Sequence, residues 1–280
     1  MKRLIVCADD FGRDLAVNEA VEQGHRNGIL TCASLMVGAP AATDAIERAR
    51  RLPKLRVGLH IVLVDGTPLL PGGPLARGNG NFDTNPLRAG LWYFFRPGIR
   101  AALAAEIRAQ FEMFRATGLA LDHVNSHQHL HLHPTVARLI VEIGREFGMR
   151  AMRLPDEPVT ALRRAFPQER VLAPLYRFTA VALRRRLQRS GVTSNDHMFG
   201  LAWSGGMDEA RVLGLLPYLP EGISEIYFHP AVQHTAGLEA AMPGYRNRDE
   251  FAALTSAAVR RRIDELDFAL VSYSDLTPSA

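Results

Sequence analysis

The chain has 280 residues, 47% of them apolar and 22% charged, a globular balance that argues against intrinsic disorder. Lys and Arg number 33 against 29 Asp and Glu, so the net charge is only +4, and no basic block or nucleic-acid module is visible. Only Lys2 and Lys54 among the basic residues are lysine. A phosphate loop ending in Gly-Lys-Ser/Thr is therefore absent, and a Schiff-base lysine has two poor candidates.

In chain order, Leu4–Ala8 is a buried strand closed off by Asp9 and Asp10. Its five apolar residues fall short of the ~7–15 of a secretory signal. No stretch approaches the ~18 of a membrane span. Asp14 caps a helix running to Gly28, with Leu15, Val17, Ala20, Val21 and Gly24 on one face. Strand Ile29–Val37, helix Ala41–Leu52 and strand Arg56–Val64 follow. Residues 65–98 read as a Gly/Pro-rich loop ending in Leu91-Trp92-Tyr93-Phe94-Phe95. Residues 98–117 are helical, with Leu103, Ile107, Phe111 and Phe114 on one face. Then come strand Leu121–Ser126, helix Pro134–Phe147 and strand Arg150–Leu154. Residues 155–200 are irregular, with a helix-like piece at 174–189. The chain closes with a helix near 207–216, strand Ser224–Phe228, a helix near 248–265 and strand Phe268–Ser272. Cys7 and Cys32 lie in apolar runs and read as buried free thiols, which fits a cytoplasmic protein.

Strands alternating with helices predict a parallel sheet. About seven such units without a linker predict a single-domain α/β protein over 1–280, an irregular TIM-type (β/α) barrel; a doubly wound open sheet is the alternative. The insertions 65–98 and 155–200 are expected to roof the site.

Polar residues interrupt the buried runs where strands end: Asp9-Asp10, His60, His127 and His229. In parallel neighbours those ends open on one face. Asp, His and His then make a three-ligand metal site with positions left for water and substrate. Zn suits such ligands, and so do Fe, Co, Ni or Mn. Each residue has a plainer reading on its own: Asp as a helix cap, His60 as a satisfied core residue. In Ser126–His133 four His alternate, and an extended segment would put them on one face, although not all could reach one ion.

Ala8-Asp9-Asp10-Phe11-Gly12, Asn18, Gly58-Leu59-His60, Asn125-Ser126-His127-Gln128-His129-Leu130-His131 and His229-Pro230 together resemble the YdjC/ChbG family of carbohydrate deacetylases, in the family's order. The resemblance implies an irregular barrel that removes an N-acetyl group from an amino sugar with a divalent metal, Zn first and Mg, Mn, Co, Ni or Fe as alternatives. It places the ligands on Asp10, His60 and His127 and the catalytic base on Asp9. Asn125 departs from the family, which commonly has Asp before Ser-His. The stretches Arg56–Leu63, Leu121–Thr135 and Gly244–Leu254 look closest to the hopanoid-associated, HpnK-like branch, which implies an N-acetylglucosaminyl hopanoid as substrate.

In this scheme His229 is the candidate acid for the leaving amine. Arg153 is a candidate anchor for Asp9 or the sugar, and a backbone N–H near Phe11 or Gly12 a candidate oxyanion donor. Trp92, with its aromatic neighbours, is a candidate substrate-binding lip. The Arg-rich segment Arg177, Arg184, Arg185, Arg186 and Arg189, interleaved with Leu175, Phe178, Val181, Leu183 and Leu187, could meet an anionic membrane surface. A metal-dependent phosphoesterase with the same ligands and a non-catalytic lipid-binding protein are the competing readings. Oligomeric state is not legible.

Overall fold

The computed structural model describes residues 2–169 and 177–276. Leu175 and the start of the predicted 174–189 helix lie outside them. The strands are β1 (Lys2–Phe11), β2 (Cys32–Leu35), β3 (Arg56–Ile61), β4 (Leu121–Ser126), β5 (His197–Phe199), β6 (Ile223–Phe228) and β7 (Phe268–Val271). The helices up to the middle of the chain are α1 (Leu15–Asn27), α2 (Ala42–Arg50), α3 (Pro86–Phe95), α4 (Arg100–Ala116) and α5 (Pro134–Glu146). Then follow α6 (Val159–Ala165), α7 (Arg177–Ser190), α8 (Glu209–Leu215), α9 (Ala236–Ala241), α10 (Asn247–Thr255) and α11 (Ala257–Glu265).

The seven strands form one parallel sheet in the order β4-β3-β2-β1-β6-β5, with β7 also paired to β1. The predicted strand Arg150–Leu154 is reduced to isolated bridges, Met152 to Val124 and Ala151 to Thr193. These carry the curl from β4 towards β5, giving the expected irregular α/β barrel in one domain. The sheet curls because side chains alternate between two buried faces. Leu4, Val6 and Ala8 of β1 pack outward under the helices, whereas Ile5 and Cys7 join Cys32, Ala151, Met198, Tyr227 and Tyr273 in a small inner core.

Several boundaries differ from the sequence reading for local reasons. Asp9 and Asp10 do not end β1. The strand continues to Phe11, and its register with β2 breaks between Ala8 and Phe11, where Asp10 takes a φ of +62°. That is a bulge at the sheet's C-terminal rim, a device that re-aims a side chain. The helix α3 lies inside the predicted loop. Its signals were present: Asn85 accepts from the amides of Leu87 and Arg88, and Pro86 occupies the first turn. The predicted 248–265 helix is two helices, divided at Ser256, whose hydroxyl accepts from Ala258 and Val259 and so caps α11. On α7, Ala180, Leu183 and Leu187 are buried while Phe178 and Val181 are exposed. Arg184 is engaged by the Asp156 carboxylate and the Asp196 carbonyl, leaving Arg185 and Arg189 exposed. No helix among the described residues is long and apolar enough to cross a membrane.

Candidate metal and catalytic site

The inward rows of the strands carry the polar side chains, and those rows end at one rim. Asp9 continues the inward row of Ile5 and Cys7, and Asn125 that of His123, by the period of two. Asp10 escapes this alternation through its bulge. One ligand atom each from Asp10, His60 and His127 lies within 4.8 Å of the others. His60 Nε2 stands 3.4 Å from Asp10 Oδ1, and His127 Nδ1 stands 3.2 Å from the same oxygen. Asp10 Oδ1 and His60 Nε2 are buried and have no hydrogen-bond partner. Buried polar atoms without partners are rare, and with His127 these two make a group that could hold a metal ion.

The neighbours orient these groups. His60 Nδ1–H donates to Asn125 Oδ1 at 2.7 Å, which turns the bare Nε2 inward. Asn125 Nδ2 donates to Asp9 Oδ1 at 3.1 Å and to Ser34 Oγ at 2.9 Å. The departure from the family pattern at 125 thus keeps an orienting role. Asp65 Oδ2 lies 3.6 Å from His127 Nε2, the carboxylate–histidine arrangement that metal-binding imidazoles adopt. Arg13 reaches Asp10 and Asp65 at 3.3 and 3.5 Å. Sequence reasoning missed both Arg13 and Asp65, since neither lies in a buried run. Burial would raise the Asp10 carboxyl, but His127 and Arg13 outweigh it and hold it well below the usual range. Burial would lower His127, but Asp10 and Asp65 keep it towards its charged form.

Asp9 is held from below. Arg153, fully buried, donates to Asp9 Oδ2 and, through Nε and Nη2, to Glu225 Oε1 at 3.0 and 2.7 Å. Tyr273 donates to the other Glu225 oxygen at 2.6 Å. Burial pushes Asp9 up, but Arg153 and His60 bring it far below the carboxylate range, so it stands ionised.

A cavity of about 430 Å³ collects Asp9, Asp10, His60, Asp65, His127 and His229. The ring of His229 packs against Tyr227 and Tyr245, and its buried Nδ1 has no partner. Burial lowers its pKa, opposed by Asp10 and Asp9. Trp92 lies outside this lining, half-buried beneath the Arg77 guanidinium 4.2 Å away. The amide of Gly12 donates to Asn18 Oδ1 at 2.8 Å and is not free for an oxyanion. Among the described residues, only Asp65 of 65–98 lines the cavity, and none of 155–200 does. The remaining wall comes from Gln128, His129, Tyr227, Leu201, Ser204 and the segment with Ala241, Met242, Pro243 and Tyr245.

The histidine run is not extended. It forms a 3₁₀ turn in which Gln128 and His129 take φ of +49° and +52°. Those two, with Asp10 and Asp65, put four left-handed non-glycine residues around one cavity, a strain that persists only where surrounding contacts fix it. The turn separates the imidazoles. His127 joins the ligand set, His129 meets Tyr227, His131 pairs its Nδ1 with Ser126 Oγ at 2.8 Å, and His133 meets Phe94.

His131 is fully buried, and burial together with the charge of Arg153 pushes its pKa down to about 3. A depressed histidine pKa contributes stability that is present above about 6.5 and is lost as pH falls towards 3. Below pH 6.5 the wild type should lose about 1.4 kcal/mol per pH unit relative to His131→Asn. Urea midpoints from pH 7 to 4 check this. Parallel decline of the two proteins would refute it.

The YdjC-like protein family model matches residues 3–265. A carbohydrate deacetylase of Vibrio vulnificus (strain YJ016) is 30% identical over 277 residues, covering 98% of this chain and 96% of that protein. Another from Brevibacillus brevis is 28% identical over 282 residues, covering 98% and 99%. A solved candidate cellobiose-phosphate cleavage protein from Enterococcus faecalis V583 superimposes with a TM-score of 0.75 at 22% identity over 99% of both chains; it speaks to the fold. With a family model running nearly end to end through every strand that carries the site, the chain belongs to the YdjC-like protein family.

Proposed function

We propose that this protein is a metal-dependent hydrolase that removes the acetyl group from an N-acetylglucosamine conjugate. The observation that carries the proposal is the pair of unpartnered buried atoms, Asp10 Oδ1 and His60 Nε2, beside His127 and the ionised Asp9. Relatives named carbohydrate deacetylases point the same way. One carboxylate and two imidazoles fit Zn²⁺ and other divalent first-row ions. A bound divalent cation supplies Lewis acidity towards the amide carbonyl and acidifies water.

The chain's own groups do the rest. Asp10, His60 and His127 hold the cation. Arg153 and Asn125 fix Asp9 in its ionised form, ready to take a proton from the attacking water. The proton that Asp9 takes from the water keeps the balance, and His229 passes a proton to the departing amine. Its lowered pKa favours giving that proton up. The products are acetate and a free amino sugar.

The conjugate is a hydrophobic one in this reading. A groove of about 410 Å³ shares Gln128 and His129 with the cavity and runs between Leu87, Leu91 and Phe94 of α3 and Thr179 of α7. Leu87, Leu91 and Phe94 in its lining are 79%, 61% and 51% exposed, an apolar lip suited to a hopanoid skeleton at an anionic bilayer. Mass spectrometry with N-acetylglucosaminyl bacteriohopanetetrol and with N,N′-diacetylchitobiose tests it. Loss of an acetyl mass from the hopanoid, reduced about tenfold or more by Leu91→Asp with the chitobiose rate unaltered, is expected. Deacetylation of chitobiose alone would sink the glycolipid assignment, and phosphate release from sugar phosphates without acetate would sink the deacetylase.

A further inference from the structure

Beneath the catalytic rim, a second cluster of ligand-type side chains has no part in the chemistry above. Cys7 of β1 and Cys32 of β2 are direct partners in the parallel register, both free and fully buried. His123 of β4, also fully buried, completes a set whose ligand atoms all lie within 4.8 Å of one another. We propose that Cys7, Cys32 and His123 form a second, closed metal site in the barrel interior for a thiophilic ion such as Zn²⁺.

The distances suit it. With Zn–S near 2.3 Å and Zn–N near 2.0–2.1 Å, a tetrahedral S···N edge is about 3.6 Å. Cys7 Sγ lies 3.8 Å from His123 Nε2. Ser34 Oγ sits 3.4 Å from Cys7 Sγ and 3.0 Å from His123 Nε2, where a fourth, neutral corner would be. His123 Nδ1–H donates to Asp122 Oδ2 at 2.8 Å, which aims Nε2 at Cys7 and Ser34. Burial would lower the imidazole pKa, but Asp122 and Cys7 outweigh it and lift the value to about 10, so the ion takes the place of the Nε2 proton. Asp122 is itself fixed by the amide of Ser274. This is the outer carboxylate that metal-binding imidazoles carry.

The backbone makes room for the ring. A Cβ on Gly58 would stand 2.5 Å from His123 Cε1, so β3 must be glycine there. The β3–β4 register breaks between Val57 and Leu59 at the same place. The stacked ring of Tyr273, 4.6 Å away, packs against the imidazole. Burial opposes the Cys7 thiolate, but Cys32, His123 and Arg153 bring its pKa down to about 7, whereas burial and Cys7 itself hold the Cys32 thiol well above its ordinary value, so the second thiolate forms only with the ion in place. As the ion enters, Cys32, His123 and any still-protonated Cys7 release their protons to solvent, so the ion, two thiolates and a neutral imidazole carry no net charge.

The site would brace the one above it. Ser34 Oγ accepts from Asn125, and Asn125 holds both His60 and Asp9. The proposal does not depend on the deacetylase reading.

Cobalt separates the two sites, because only this one offers sulfur. Full-length protein replete with Co²⁺ should show a thiolate-to-cobalt charge-transfer band in the near ultraviolet and bind two equivalents. Cys7→Ser with Cys32→Ser should lose the band and one equivalent. Asp10→Asn should keep the band and one equivalent. If the double cysteine variant fails to fold, the Asp10→Asn protein decides. A band there supports the site, and cobalt bound without a band overturns it. Equal metal content in the folded cysteine variant and the wild type also overturns it. So does a thiol count of zero in denaturant without reductant, which would mean a Cys7–Cys32 cross-link instead.

Discussion

Asp9→Asn is expected to lower kcat by about 10²–10⁴ while KM and metal content change little. Asp9 is ionised, lies at the cavity wall, and is not one of the three clustered ligand atoms. Asparagine preserves its shape and leaves Asp10, His60 and His127 in place, but it cannot take a proton. A change in kcat alone therefore separates a base from a ligand. Asp10→Asn should behave differently, because it removes the only carboxylate of the set and should strip the metal. Metal analysis beside steady-state rates makes the comparison. If Asp9→Asn keeps wild-type kcat, or loses its metal as Asp10→Asn does, the assignment of the base is wrong.

Arg153→Met is expected to destabilise the fold by about 3–5 kcal/mol, the scale for removing one partner of a buried ion pair. Arg153 is fully buried between two carboxylates, Asp9 and Glu225, and no other guanidinium among the described hydrogen bonds reaches either of them. Without it Asp9 loses its main stabilising charge, so its pKa rises and the acid limb of the rate profile moves to higher pH. Adding Glu225→Gln removes one stranded carboxylate and should restore part of the stability without restoring the rate. Urea denaturation and a kcat–pH profile read the two effects separately. An unaltered midpoint for Arg153→Met would show that the buried network is not what holds the barrel's interior. A recovered midpoint with the acid limb still displaced would show that Arg153 positions and tunes Asp9.

The alternation of strands and helices was legible because most strands are short apolar runs ending at a polar residue; β5 was not, since three residues inside a stretch read as irregular carry no such signal. The candidate cluster was legible for the same reason: Asp9-Asp10, His60, His127 and His229 interrupt or end buried runs, and the choice of Asp10, His60 and His127 among them came from the family resemblance. Asp65 and Arg13 were not, since they reach His127 and Asp10 from loops whose composition looks like ordinary surface. The histidine run misled as an extended segment, because nothing local announces that Gln128 and His129 adopt left-handed backbone. The strand expected at 150–154 is only two bridges, since its apolar residues pack in the barrel without full pairing on either side. Cys7 and Cys32 read correctly as buried thiols, yet their meeting with His123, more than ninety positions on, depends on sheet order.

Residue chemistry and period-two patterning, both local properties, were enough to predict the α/β class and to single out Asp9-Asp10, His60 and His127 as candidate ligand positions, while the family, and Asp10 over Asp9, came from the resemblance of the motifs. Which groups stand behind those ligands was decided by the tertiary structure alone. The bulge at Asp10, the Arg153–Glu225 brace and the Asn125 bridge join strands through the curl of the sheet. Contacts across a curled sheet follow strand order and register, and neither is written in any single run of the chain.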